Sequence, residues 1–300
     1  MSMPTKLKLD NEIVALLQLV DDPDPEVYDV VSQKILAYGT AVIPHLEQLW
    51  EFADESLAQT RIEELIHQAQ YQQLQTELLR WAKQEKPSLL DAGLIISKYR
   101  YPELDKEMVL HEFELMRRNI WLELNNFLSP LEQINIINGI IFNFFRIQGH
   151  ELTVHDPKHF FISEAIESRQ GNAFTIGLLY MTLCEMLDVP IFAIDVPNQF
   201  VMAYYEETYG FLDNDQRQAV VQLQFFIDPV NGMVYSRNDI KMYLRKQGKT
   251  DIENSFRPLD NHDFMRLMLQ SLANTYSNLG DGEKAIEIES LISLLMKKND

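Results

Sequence analysis

Few side chains in this 300-residue chain have the type and spacing that chemistry needs. The one thiol, Cys184, is a potential nucleophile, but it lies in residues 173–187, whose clearly polar members are Thr175, Thr182 and Glu185. A helix apolar nearly all round belongs at the centre of a domain, so Cys184 reads as a small core residue. A single cysteine also excludes an internal disulfide framework and a Cys-rich zinc site. His150, His155 and His159 gather around Asp156, and the four-residue spacing of His155 and His159 is one that places two metal ligands on one helix face. Pro157 stands between them as a helix start, so the expectation is a structural or solvent-exposed role for the histidines and a helix cap in Asp156. Asp213-Asn214-Asp215 has oxygen ligands of the calcium kind but no glutamate at loop spacing, and reads as a turn. Phe142, Phe144, Phe145, Phe160 and Phe161 suggest a ligand box, yet their place beside the apolar helix favours packing. No cofactor and no metal are expected.

The charge balance narrows the partners. Lys and Arg number 26 against 45 Asp and Glu, for a net charge of −19. Such an excess repels phosphate and anionic lipid, so neither nucleic acid nor a membrane surface is an expected partner. The basic clusters, Arg117-Arg118 and Lys297-Lys298, are only pairs. Apolar stretches such as residues 136–145 are interrupted and fall short of the ~20 residues that a bilayer span requires. Residues 1–9 carry no apolar signal region, so a cytoplasmic location is expected. No G-x-G-x-x-G or P-loop motif follows any predicted strand.

The elements that must position these groups begin with helices. Asp24, Pro25 and Glu26 form a helix start, Val27, Val30, Val31, Ile35 and Leu36 keep helical spacing, and Gly39 ends the run. A second helix from about residue 41 and a third over 61–81 follow. Residues 1–86 are therefore a helical region, either HEAT-like or a plain bundle. Helices are predicted at 89–99, 106–126 and 130–145, then from about 160 to 167 and from 173 to 187. Strand patterns appear at 191–196, 199–205 and around 221–227, with 207–218 as an exposed connection. One buried helix followed by antiparallel strands is an α+β pattern with helix predominating. The last 40 residues return to helix, with Gly280-Asp281-Gly282 between two arms spaced like one tetratricopeptide repeat. The division expected is 1–86, 87–255 and 256–300.

Several blocks in one order resemble the bacterial transglutaminase-like family typified by an invasion-regulator protein. They are residues 89–105, Phe145-Arg146-Ile147-Gln148-Gly149, His155-Asp156-Pro157, Ser168-Arg169-Gln170-Gly171-Asn172, Leu179-Tyr180, Leu187-Asp188-Val189-Pro190 and Ile227-Asp228-Pro229-Val230-Asn231-Gly232. The resemblance implies a papain-related core, in which a central helix packs on an antiparallel sheet. It also implies a cysteine nucleophile at the helix start, a histidine base on one strand and an aspartate on the next that orients the imidazole.

Matched position by position, two of these three roles are vacant. The nucleophile position, two residues after Gly171 and seventeen before Pro190, is Ala173. The base position is Gln199, whose amide is no base near neutral pH. Asp228 alone is retained. With Asn172 and Asn198 as cleft lining, the expected function is that of a non-catalytic module binding a protein or extended peptide. The alternative is a hydrolase or acyl-transferase with a non-standard site in the same cleft, such as Thr175 with Asp228.

Overall fold

A computed structural model describes residues 12–51, 53, 56–150, 156–196, 199–211, 217–248 and 256–296. Its backbone divides into two compact units, Met1–Glu77 and Leu78–Asp300. In the first, helix α1 (Pro25–Leu36) opens as its sequence dictates: Pro25 is at the first position and the Asp24 carboxylate accepts from Glu26 N at 2.9 Å. Gly39 ends the run in the left-handed region at φ 59°, and a 3-10 turn, Gly39–Val42, leads into α2 (Ile43–Glu51). The core of this unit is Val31, Ile35, Val42 and Leu46 against Ile62 and Leu65 of α3 (Ser56–Ala82). Arg61 stacks over Tyr28 and donates to the Val20 and Asp22 carbonyls at 3.0 and 2.8 Å, tying the chain ahead of α1 to α3.

The second unit begins with three capped helices. They are α4 (Leu89–Ser97) with cap Ser88, α5 (Lys106–Glu123) with cap Asp105, and α6 (Pro130–Asn138), whose Ser129 and Glu132 form a reciprocal capping box. The helix expected over 130–145 continues past α6 only as a wider π turn, Gly139–Phe144. Strand β1 (Gln148–His150) then pairs in parallel with β2 (Gln170–Asn172), on either side of a 3-10 turn, Pro157–Phe160, and α7 (Ile162–Ser168). The apolar stretch forms α8 (Ala173–Glu185), buried on every side except at its end.

Strands β3 (Ile191–Val196), β4 (Gln199–Phe211), β5 (Arg217–Ile227) and β6 (Val234–Tyr235) form one antiparallel sheet in that order. One face meets α8 through Phe200. The other packs Ile194, Val196, Val201, Ala203 and Phe226 on Ile240 and Leu244 of α9 (Arg237–Lys246). The fold is thus α+β and mainly helical, with a buried helix on a small antiparallel sheet. The connection expected over 207–218 is shorter, because Glu207–Phe211 of β4 pairs with residues 217–221 of β5. Thr208, Tyr209, Val220 and Val221 are good strand formers and outweigh the turn signal of Gly210.

Helices α10 (Asn261–Asn278) and α11 (Gly282–Met296) form a hairpin turning at Gly280, where φ is 81°. It is fastened to the rest of its unit: Asn261 Nδ2 donates to Pro87 O at 2.8 Å and Tyr99 OH to Glu287 Oε2 at 2.6 Å. No helix among the described residues is long and apolar enough to cross a membrane.

Candidate functional site at the start of the central helix

Helix α8 starts at Ala173 because Asn172 caps it, the Asn172 Oδ1 accepting from Thr175 N at 3.0 Å. The Thr175 hydroxyl, fully buried, donates to the same oxygen at 3.3 Å, so its proton is spent on the cap. Ala173 is 4% exposed and Asn172 1%. Over these first turns lie three aromatic rings. Phe174 stacks on Phe200 with centroids 5.1 Å apart, and Phe264 of α10 lies 6.0 and 5.3 Å from the two. The Phe200 ring sits where Gly177 has no side chain. The helix start is therefore a closed aromatic packing site.

Position 199 opens β4 and its backbone is in register with Val196; its side chain, like the whole of Asn198, lies outside the described residues. The strand residue seen to touch α8 here is Phe200. Asp228 follows β5, and its carboxylate accepts from Val230 N at 2.8 Å, with Tyr235 OH at 3.5 Å. Asp228 O accepts from Gly232 N, and Asp228 N donates to Met233 O, both at 2.8 Å. Gly232 holds this turn at φ 73°. Asn138 braces it from α6, donating to Gly232 O at 2.8 Å and accepting from Tyr180 OH of α8 at 3.0 Å. A side chain at Gly149 would lie 2.5 Å from the Val230 backbone. The Asp-Pro-Val-Asn-Gly turn is thus built to hold itself, and its carboxylate has a structural task.

Sequence reasoning placed no histidine at the helix start, but the parallel strand pair sets His150 directly opposite Asn172. His150 Nε2 lies 3.3 Å from Gln170 Oε1, and its ring centroid is 4.7 Å from that of His159. His159 is 6% exposed; burial pushes its pKa down and nearby His150 adds to this, against the pull of Asp156. Asp156 accepts from Lys158 N at 3.1 Å as the cap of the 3-10 turn. His155 and Asp213-Asn214-Asp215 lie outside the described residues. Among those described, no cluster of three or more His, Cys, Asp or Glu is arranged to hold a metal. Cys184 is fully buried, and that burial pushes its thiol far up, away from reactive thiolate. Of the phenylalanines, Phe160 and Phe161 are core, whereas Phe144 is 65% exposed and does not belong to the packed set. The signal for His150 was its place just after Gly149, a glycine forced by close backbone approach.

Residues 107–270 match the family profile described as the transglutaminase-like superfamily. A UPF0162 protein of Pseudomonas aeruginosa is 21% identical over 213 residues, covering 68% of this chain and 70% of that protein. UPF0162 proteins from two strains of Xylella fastidiosa are each 23% identical over 118 residues, 38% of this chain and 41% of theirs. No solved structure is a significant match.

Proposed function

The chain belongs to the transglutaminase-like superfamily, and from that premise we propose that it is a non-catalytic member that binds or scaffolds another protein. The observation that carries the reading is Ala173, a methyl group enclosed at the first position of the central helix. In this reading positions 173, 199 and 228 are the vestige of a nucleophile, a base and its orienter. Retention of Asp228 then needs no catalytic reason, since its carboxylate organises the turn after β5. A protein partner is supported by apolar side chains turned to solvent around the end of α5, where Trp121 and Leu122 are exposed and Phe127 is 98% so. The helical hairpin α10–α11 and the helices of the first unit add surfaces of the kind used for docking.

Purified protein is incubated with amine donors, peptides and ester substrates beside Asp228→Ala. The expected result is no turnover in either; turnover that the substitution abolishes would overturn the reading. Failure to recover any partner reproducibly from cells expressing the protein at native level would count against the scaffolding role.

A further inference from the structure

Phe127 is the most exposed large apolar side chain among the described residues, and it stands with Trp121, Leu122 and Leu131, all exposed, at the corner where α5 leads into α6. The corner is fixed by its own hydrogen bonds. Leu124 N donates to Ile120 O at 3.1 Å, Phe127 N to Asn125 Oδ1 at 3.1 Å and Leu128 N to Asn125 O at 3.3 Å. The Ser129–Glu132 capping box then closes the turn. Four apolar side chains are thus held toward water by an ordered turn.

Area and charge together indicate the occupant. A whole Phe or Trp side chain presents about 150–250 Å², so the exposed parts of these four amount to roughly 500 Å² of apolar surface. That is about the apolar share of the ~800 Å² that each partner gives to a standard homodimer interface. From Asn119 to Leu131 the only charged residue is Glu123, in a chain that is 24% charged. Two copies of net charge −19 repel one another, and a charge-poor corner lets them approach. At its border Arg117 is paired with Glu114, and the Glu132 carboxylate is taken up by Ser129. Arg118 and Glu123 remain, both exposed and in no ion pair among the described residues. Arg118 lies three and four residues before Trp121 and Leu122 and so shares their face, and Glu123 follows them directly. A patch with one uncommitted charge of each sign complements itself under two-fold symmetry, whereas a strongly acidic or basic partner would match only one of the two.

We propose that a second copy of this chain occupies the corner, with Trp121 and Phe127 packing across a two-fold axis and Arg118 of each copy meeting the partner's Glu123. The inference rests on the reading that this corner docks protein, and not on the absence of catalysis.

The test is sedimentation velocity of the full-length protein over roughly 1–100 μM, since an interface of this size gives micromolar affinity or better. The mass is expected to rise reversibly from one chain to two. Phe127→Asp, at an exposed position, is expected to weaken the dimer about a thousandfold, ~30-fold from each copy, with the circular dichroism of the monomer unchanged. Arg118→Glu and Glu123→Arg are each expected to weaken self-association about tenfold. A mixture of these two variants is expected to associate about as tightly as the parent, because each supplies the charge that the other lacks. The mass of one chain at every concentration would overturn the proposal, as would a dimer indifferent to Phe127→Asp or a mixture no tighter than its components. A monomer whose Phe127→Asp variant loses a protein that the parent recovers from cells would overturn self-association and leave the docking role standing. A monomer that recovers no protein would overturn both.

Discussion

The ring of Phe200 occupies the space that Gly177 leaves in the central helix: a Cβ at position 177 would lie 2.3 Å from Phe200 Cε1 and 2.9 Å from Cζ. In an open helix Gly→Ala stabilises by about 1 kcal/mol through backbone entropy. Here the ring cannot simply swing away, because it is stacked on Phe174 and flanked by Phe264. Gly177→Ala is therefore expected to destabilise by about 1–3 kcal/mol, the usual range for an overpacked core. Urea unfolding of the variant checks the sign; a gain in stability would show that the aromatic stack is loose.

Cys184 gives a probe of the same core. Its thiol is enclosed in α8 with no exposed atom to offer, and burial holds it protonated. A thiol reagent at pH 8 is expected to leave the native protein unmodified over hours and to label one thiol promptly in denaturant. Labelling of the native protein at the rate of a free thiol would place Cys184 outside the core.

How much of this arrangement can be read in advance differs element by element. The central helix is legible because Asn172 is a good cap and the following residues lack a polar face. The α+β order follows from period-two patterns that begin only after Pro190. The closure of the helix start is not legible, since Phe174, Phe200 and Phe264 come from three distant parts of the chain and each is an ordinary core phenylalanine in isolation. Nor can residue type alone tell the roles of Asp228 apart, for an aspartate before Pro229 suits an orienting acid and a turn-forming carboxylate equally. Helix α9 was open to reading through its Ser236–Asp239 capping box, which the pattern of apolar residues did not bring forward.

His159 makes stability depend on pH in a stated direction. Its pKa in the folded protein is held below the ordinary imidazole value of 6.5, chiefly by burial, with His150 and Lys158 acting the same way and Asp156 and Glu164 opposing. The unfolded chain therefore takes up the proton first as pH falls. The contribution is complete above pH ~6.5 and is lost progressively below it, down to the lowered folded value. Tm measured from pH 7.5 to 5.5 is expected to fall less steeply in His159→Gln than in the parent. An unchanged slope would mean that the imidazole meets water in both states.

Asp228 allows the structural and catalytic accounts to be separated by a conservative pair of substitutions. Its carboxylate accepts from Val230 N at 2.8 Å, a bond that needs an oxygen acceptor but no charge. Asp228→Asn retains such an oxygen and tolerates the same turn, so its stability is expected to stay within about 0.5 kcal/mol of the parent. Asp228→Ala removes the acceptor and is expected to cost about 1 kcal/mol, more if the amide is left unsatisfied. Were the carboxylate instead kept to orient a base, the charge itself would matter, and Asn would behave like Ala in any assay of turnover while differing little in stability. Denaturant unfolding of both variants, run beside the substrate panel, therefore decides what the aspartate is for. Equal destabilisation by Asn and Ala would remove the turn from the account.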